Sequence, residues 1–108
     1  MSEGNPMSVR VAERRRSVRI PAAYPALLAD QQGHILARGR TGNISEHGLF
    51  VIVSSPSPPQ QGRTAVVHIT IPADDDETRT VVYSCRIVRR QAVGQLVGLG
   101  VEFSEKIA

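Results

Sequence analysis

The sequence predicts an all-β domain, an antiparallel barrel or sandwich, and three observations lead there. Apolar and polar residues alternate along several short stretches, turn-forming residues separate those stretches, and no convincing helical periodicity occurs. At 108 residues the chain is the size of one domain, so every motif must share one fold. With no Trp and only Tyr24, Phe50, Tyr83 and Phe103 as large aromatics, the core must be mainly Val, Ile and Leu.

Residues 1–13 are read as a flexible tail, since Gly4, Asn5 and Pro6 interrupt a stretch with little apolar periodicity. The domain proper is expected over residues 14–108. After Pro21 a short apolar strand reaches Leu28, Asp30 to Gly33 forms a turn, and Ile35 to Ile44 returns as the second arm of a hairpin. Leu49 to Val53 reads as a strand buried on both faces. Pro56, Pro58 and Pro59 then make Ser54 to Gly62 a loop.

In the next strand Val67, Ile69 and Ile71 share a face, and Pro72 to Glu77 is a polar connection. Val81, Tyr83, Cys85 and Ile87 then alternate with Val82, Ser84, Arg86 and Val88, and Ala92 to Gln95 is a turn. The last strand sets Val97, Leu99, Val101 and Phe103 against Gly98, Gly100 and Glu102. Phe103 should close one end of the core, and Ser104 to Ala108 leaves room for at most one helical turn.

Charge and rare residues narrow the function. The formal charge is +3, but Arg10, Arg14, Arg15, Arg16 and Arg19 crowd the start while Asp74, Asp75, Asp76 and Glu77 lie far downstream. An anionic partner near the N-terminus fits that distribution. Lys106 is the only Lys, and Arg offers a planar fork that grips phosphate or a guanine edge and also stacks. Cys85 is the only cysteine, which removes intramolecular disulfides and multi-cysteine zinc sites, and its place on an apolar face suits a core thiol. His34, His47 and His68 are dispersed without metal-ligand spacing, and Asp74 to Glu77 lacks the spacing of a calcium loop. With neither a nucleophile elbow nor a Walker loop, the chain is read as no enzyme, without metal or cofactor. A signal-like or membrane-length apolar run is also missing, so a soluble, cytoplasmic protein without membrane insertion is expected.

Two short motifs carry the chemistry. Arg14, Arg15, Arg16 and Arg19 put several guanidinium groups just before the first strand. Taken alone, such a run is more often a solvated basic tail or a loose nucleic-acid arm. Asn43, Ser45 and Gly48 lie where one strand ends and the next begins. Taken alone, they are turn formers, with Asn43 or Ser45 bonded to backbone and Gly48 at positive φ.

Together the two features resemble the paired signatures of the PilZ domain family: an RxxxR motif matched by Arg15 and Arg19, then a D/NxSxxG motif matched by Asn43, Ser45 and Gly48. The closing GLGVEF, Gly98 to Phe103, is also similar to that family, and the resemblance runs from Arg14 to Glu105. It implies a bacterial signal-transduction module: a six-stranded antiparallel β-barrel with a flexible Arg-rich N-terminal segment, binding the second messenger cyclic di-GMP at its surface. Arg15 and Arg19 would clamp the ligand, Asn43 and Ser45 would bond its polar edges, and Gly48 would keep the backbone clear of it. Arg14, just before the RxxxR motif, resembles family members that bind a stacked cyclic di-GMP dimer, implying two ligands per chain. On ligand binding the Arg loop would become ordered and signal to a downstream partner protein. Two alternatives stand beside this reading. One is a PilZ-like protein-interaction module without nucleotide binding. The other is a basic-arm nucleic-acid binder, which leaves the second motif unexplained.

Overall fold

Alternation in the sequence becomes seven strands in the computed structural model, which describes residues 20–21, 23–73 and 76–108. They are β1 (Ile20–Pro21), β2 (Pro25–Ala29), β3 (Ile35–Ile44), β4 (Gly48–Val53), β5 (Thr64–Pro72), β6 (Thr78–Val93) and β7 (Leu96–Lys106). All pairings are antiparallel, in the order β1-β3-β2-β5-β6-β7-β4, and β4 pairs back onto β3. Strands β2 to β7 therefore close a six-stranded barrel, which removes the unpaired edges an open sheet would present. The short β1 continues along the edge of β3 that β2 occupies further up.

Inward phases of the strands meet in one core. Leu28, Val51, Val53, Val67, Ile69, Cys85, Ile87 and Leu99 are its largest fully buried side chains. Each fully buried aliphatic stabilises by about 1.5–3 kcal/mol relative to exposure, so this interior dominates the favourable side of folding. Val67, Ile69, Cys85, Leu99 and Val101 lie where the alternation puts them. Tyr83 and Phe103 pack against the core half-buried, their rings stacked at 4.0 Å and 9° between planes. Removal from water pushes the Cys85 thiol up to about 11.

Three details differ from the sequence reading. β4 is buried on one face only: Leu49, Val51 and Val53 point inward while Gly48, Phe50 and Ile52 stay half-exposed. β6 continues through Ala92 to Val93, so the turn contracts to Gly94 and Gln95. β7 runs on to Lys106, where one helical turn was the most allowed for. Its extension pairs Lys106 with Tyr83 and Glu105 with Ser84, satisfying backbone groups that a loop would leave to water.

The β2–β3 turn is tied by one carboxylate. Asp30 Oδ1 accepts from the backbone N–H groups of Gln32 and His34, each at 2.9 Å, and Oδ2 lies 3.1 Å from His34 Nδ1. Burial works against its ionisation, but the bonds from His34 and Gln32 outweigh that and hold Asp30 below the usual carboxylate range. Thr41, a buried polar side chain, accepts from the Tyr24 N–H at 3.0 Å and returns its own N–H to the Tyr24 carbonyl at 2.9 Å. That pair fastens the chain entering β2 to the middle of β3.

Candidate functional site

Asn43 to Gly48 joins β3 to β4 through a turn closed by its own serine. The Ser45 N–H donates to the Gly48 carbonyl at 2.9 Å, the Ser45 hydroxyl donates to the same oxygen at 3.3 Å, and the hydroxyl oxygen accepts from the His47 N–H at 3.3 Å. The Ser45 hydroxyl thus shapes the turn, and its proton already has an acceptor. At Gly48 the requirement is space, because a Cβ there would run into the Val101 carbonyl oxygen. Positive φ among the described glycines belongs to Gly33, Gly62 and Gly94 instead.

Two β-bulges build the surface beside this turn. Thr41 points inward, so simple alternation would send Asn43 inward too; the register shifts between Thr41 and Asn43, leaving Gly42 as the extra residue, and Asn43 emerges opposite outward-facing Phe50. On β6 the same happens between Ile87 and Arg89, with Val88 as the extra residue, and Arg89 emerges opposite Gly100. Since Phe50 also pairs with Gly100, one outer row runs Asn43, Phe50, Gly100, Arg89 across four strands. Neighbouring strands stand about 4.8 Å apart, so this row crosses roughly 14 Å of barrel wall.

Glycines let that row lie flat. The Phe50 ring covers Gly98, where a Cβ would penetrate the ring, and rests 3.1 Å from the Cβ position of Gly42. Gly100 leaves room for Arg89, whose Cβ lies 3.2 Å from where a Gly100 Cβ would be. The Arg89 guanidinium then lies 5.7 Å from the Phe50 ring centroid, a cation–π contact at the surface. Beside this platform opens a cavity of about 430 Å³ lined by Asn43, Ser45, His47, Gly48, Arg89 and Glu102, among others. That volume suits a small ligand, and the lining mixes a fixed cation, an amide and an aromatic platform. A larger depression of about 860 Å³ lies on the wall formed by β2, β3, β5 and β6, apart from Asn43, Ser45 and Gly48.

Asn43, Ser45 and Gly48 all line this one cavity. Arg14, Arg15 and Arg19 lie outside the described residues. The chain that follows Arg19 is paired at this same place, however: Ile20 sits opposite Ile44 and Pro21 opposite Asn43. The sequence reading missed Arg89. Its signal was available, because Arg89 falls two residues after inward Ile87 and so places a charge on the apolar phase, a conflict that a bulge resolves. Among the described residues no cluster of three His, Cys, Asp or Glu side chains could hold a metal ion, and no helix is long and apolar enough to cross a membrane.

Fold and site together define a closed antiparallel barrel with a ligand-sized cleft on its outer wall, at a strand–turn–strand motif. The PilZ domain model matches residues 13–108, and the chain belongs to the PilZ domain family. Among solved structures it is similar to the inhibitor of motility MotI/DgrA of Bacillus subtilis, with TM-score 0.72 and 23% identity over 88% of this chain and 44% of that one. It is also similar to the PilZ domain of YcgR from Escherichia coli with c-di-GMP, with TM-score 0.57 and 18% identity over 83% of this chain and 77% of that one. A third likeness is to YcgR of the same organism in complex with c-di-GMP, with TM-score 0.60, 18% identity and 84% of this chain covered against 38% of that one. At these identities the structural likeness shows a shared fold alone, and this chain spans less than half the length of the MotI/DgrA chain. Comparison with curated proteins gives no match.

Proposed function

We propose that the chain is a cyclic di-GMP receptor module that binds the nucleotide on the outer wall at the β3–β4 turn. The observation that carries this reading is that Asn43, Ser45 and Gly48 share one cavity, at which β1, the strand that follows the RxxxR motif in sequence, pairs with β3 at Asn43 and Ile44. Cyclic di-GMP presents two phosphates and two guanines. Arg15 and Arg19 would pair with phosphate or with guanine O6 and N7, and Arg14 would extend the grip to a second, stacked nucleotide. Asn43 supplies an amide for a guanine edge, Ser45 maintains the turn, and Arg89 offers a guanidinium plane for stacking.

In this reading the module transmits a signal and carries out no chemistry of its own. Ligand binding orders the Arg segment, at a cost in conformational entropy that several charge-assisted and stacking contacts must together offset, and a partner protein reads the ordered surface. Titration calorimetry with cyclic di-GMP tests it. We expect saturable binding of two nucleotides per chain, and a loss of about 1.5–3 kcal/mol in Arg15→Ala and in Arg19→Ala. Binding of one nucleotide would remove the stacked dimer but keep the receptor. Absence of binding, or displacement of the nucleotide by short RNA or DNA at matched concentration, would reject the receptor in favour of an interaction module or a basic-arm binder.

A further inference from the structure

His47 lies within the second motif and lines the cavity, yet the proposed ligand contacts leave it without a role. Its backbone is held at both ends, since the N–H donates to Ser45 Oγ at 3.3 Å and the carbonyl accepts from the Phe103 N–H at 2.8 Å. The backbone of His47 is thereby fixed at the rim, with the imidazole about two-thirds exposed. Three charged groups face this rim. Glu46, on the same turn, brings Oε1 to 3.9 Å from His47 Nε2; Glu102 lines the cavity from β7, and Arg89 lines it from β6. β3 and β4 contribute Asn43, Gly48, Leu49 and Phe50, none of them charged.

An anion approaching this rim thus meets one described guanidinium and two carboxylates. Histidine is the side chain whose ordinary titration falls between pH 5 and 8, and as imidazolium it becomes a second cation with two N–H donors. We propose that His47 is a proton-linked contact for a phosphate of the bound nucleotide, so that binding takes up a proton and affinity rises as pH falls through neutrality. The phosphodiesters of the ligand do not titrate in this range, so the charge that meets His47 is constant across it. The inference rests on the nucleotide reading given above.

Calorimetric titration of cyclic di-GMP between about pH 5.5 and pH 8.5, in buffers of contrasting ionisation enthalpy, tests it on the intact chain. For an exposed charge pair we expect wild-type affinity to fall roughly fivefold across that range, with fractional proton uptake seen as a buffer-dependent enthalpy. His47→Gln should bind weakly with a flat profile, and His47→Lys should bind tightly with a flat profile. A pH slope in His47→Gln equal to that of the wild type overturns the proposal, as does a flat wild-type profile without proton uptake. Both outcomes leave the receptor reading intact. If the folded wild type binds no nucleotide at any pH, the receptor reading falls and this inference falls with it.

Discussion

At Gly48 the wall of β4 approaches β7 so closely that a single methyl group has nowhere to go. The obstacle is a backbone carbonyl, that of Val101, and it cannot rotate away as a flexible side chain would. Gly48→Ala should therefore cost about 1–3 kcal/mol through strain between β4 and β7, read by urea denaturation. An equal cost at Gly94→Ala would arise differently, because Gly94 has φ of 60° and open space around its Cβ position. Cys85 gives a second test at this scale. Its thiol titrates at about 11 in the fold against 9.0 without burial, so above about pH 9 the unfolded chain releases its proton first. Stability from this group is complete below pH 9 and is lost as pH rises towards 11, by at most about 1.4 kcal/mol per pH unit. Denaturation series for wild type and Cys85→Ala should converge across that window, and parallel curves would show that Cys85 does not contribute the slope.

The strands carry a lesson about bulges. Inward positions such as Val67, Ile69, Leu99 and Val101 were legible because a side-chain period of two is visible in the residues themselves. The motif residues Asn43, Ser45 and Gly48 were legible as a group through the family resemblance, though not their local roles. Ser45 closes onto its own turn through bonds to Gly48 and His47, whereas the crowding at Gly48 comes from Val101 of β7, about fifty residues away in sequence. Counting by twos across Ile87 places Arg89 in the core, and that conflict between charge and phase is the one sign of the bulge that the residues carry. The extra residue, Val88, is 43% exposed and opposes nothing on β7. Deleting Val88 would leave Ile87 opposite Val101 and Arg89 opposite Gly100 as neighbours in an unbulged ladder. The ΔVal88 chain should therefore fold cooperatively with a β-type circular dichroism spectrum, while losing one wall of the cavity and some of its nucleotide affinity. Deleting Leu99 has no bulge to absorb it and should unfold the barrel, because it removes a fully buried side chain and inverts the phase of the rest of β7. Failure of ΔVal88 to fold would show that the bulge is needed for closure and not only for aiming Arg89.

For the molecule as a whole, the receptor reading makes the site and the barrel separable in one direction only. The cavity sits on the outer wall, and its polar residues Asn43 and Arg89 take no part in the apolar core, so the barrel should fold fully without ligand. A ligand that binds only the folded chain must nevertheless stabilise it, by about 2.7 kcal/mol at a free concentration of one hundred times Kd. For a domain of this size each kcal/mol moves the melting temperature by roughly 4–8 °C, so saturating cyclic di-GMP should raise Tm by more than about 10 °C. Asn43→Ala and Arg89→Ala should have nearly the wild-type Tm without ligand and a smaller shift with it, since each removes a surface contact without opening the core. Leu99→Ala should do the reverse: a loss of about 2–5 kcal/mol without ligand, and a shift of similar free energy when ligand is held at the same multiple of its own Kd. Differential scanning calorimetry on the four proteins, with and without nucleotide, separates the two effects. A ligand shift that survives intact in both Asn43→Ala and Arg89→Ala would place the nucleotide somewhere other than the row running from β3 to β6, with the depression on the β2, β3, β5 and β6 wall as the next location to probe.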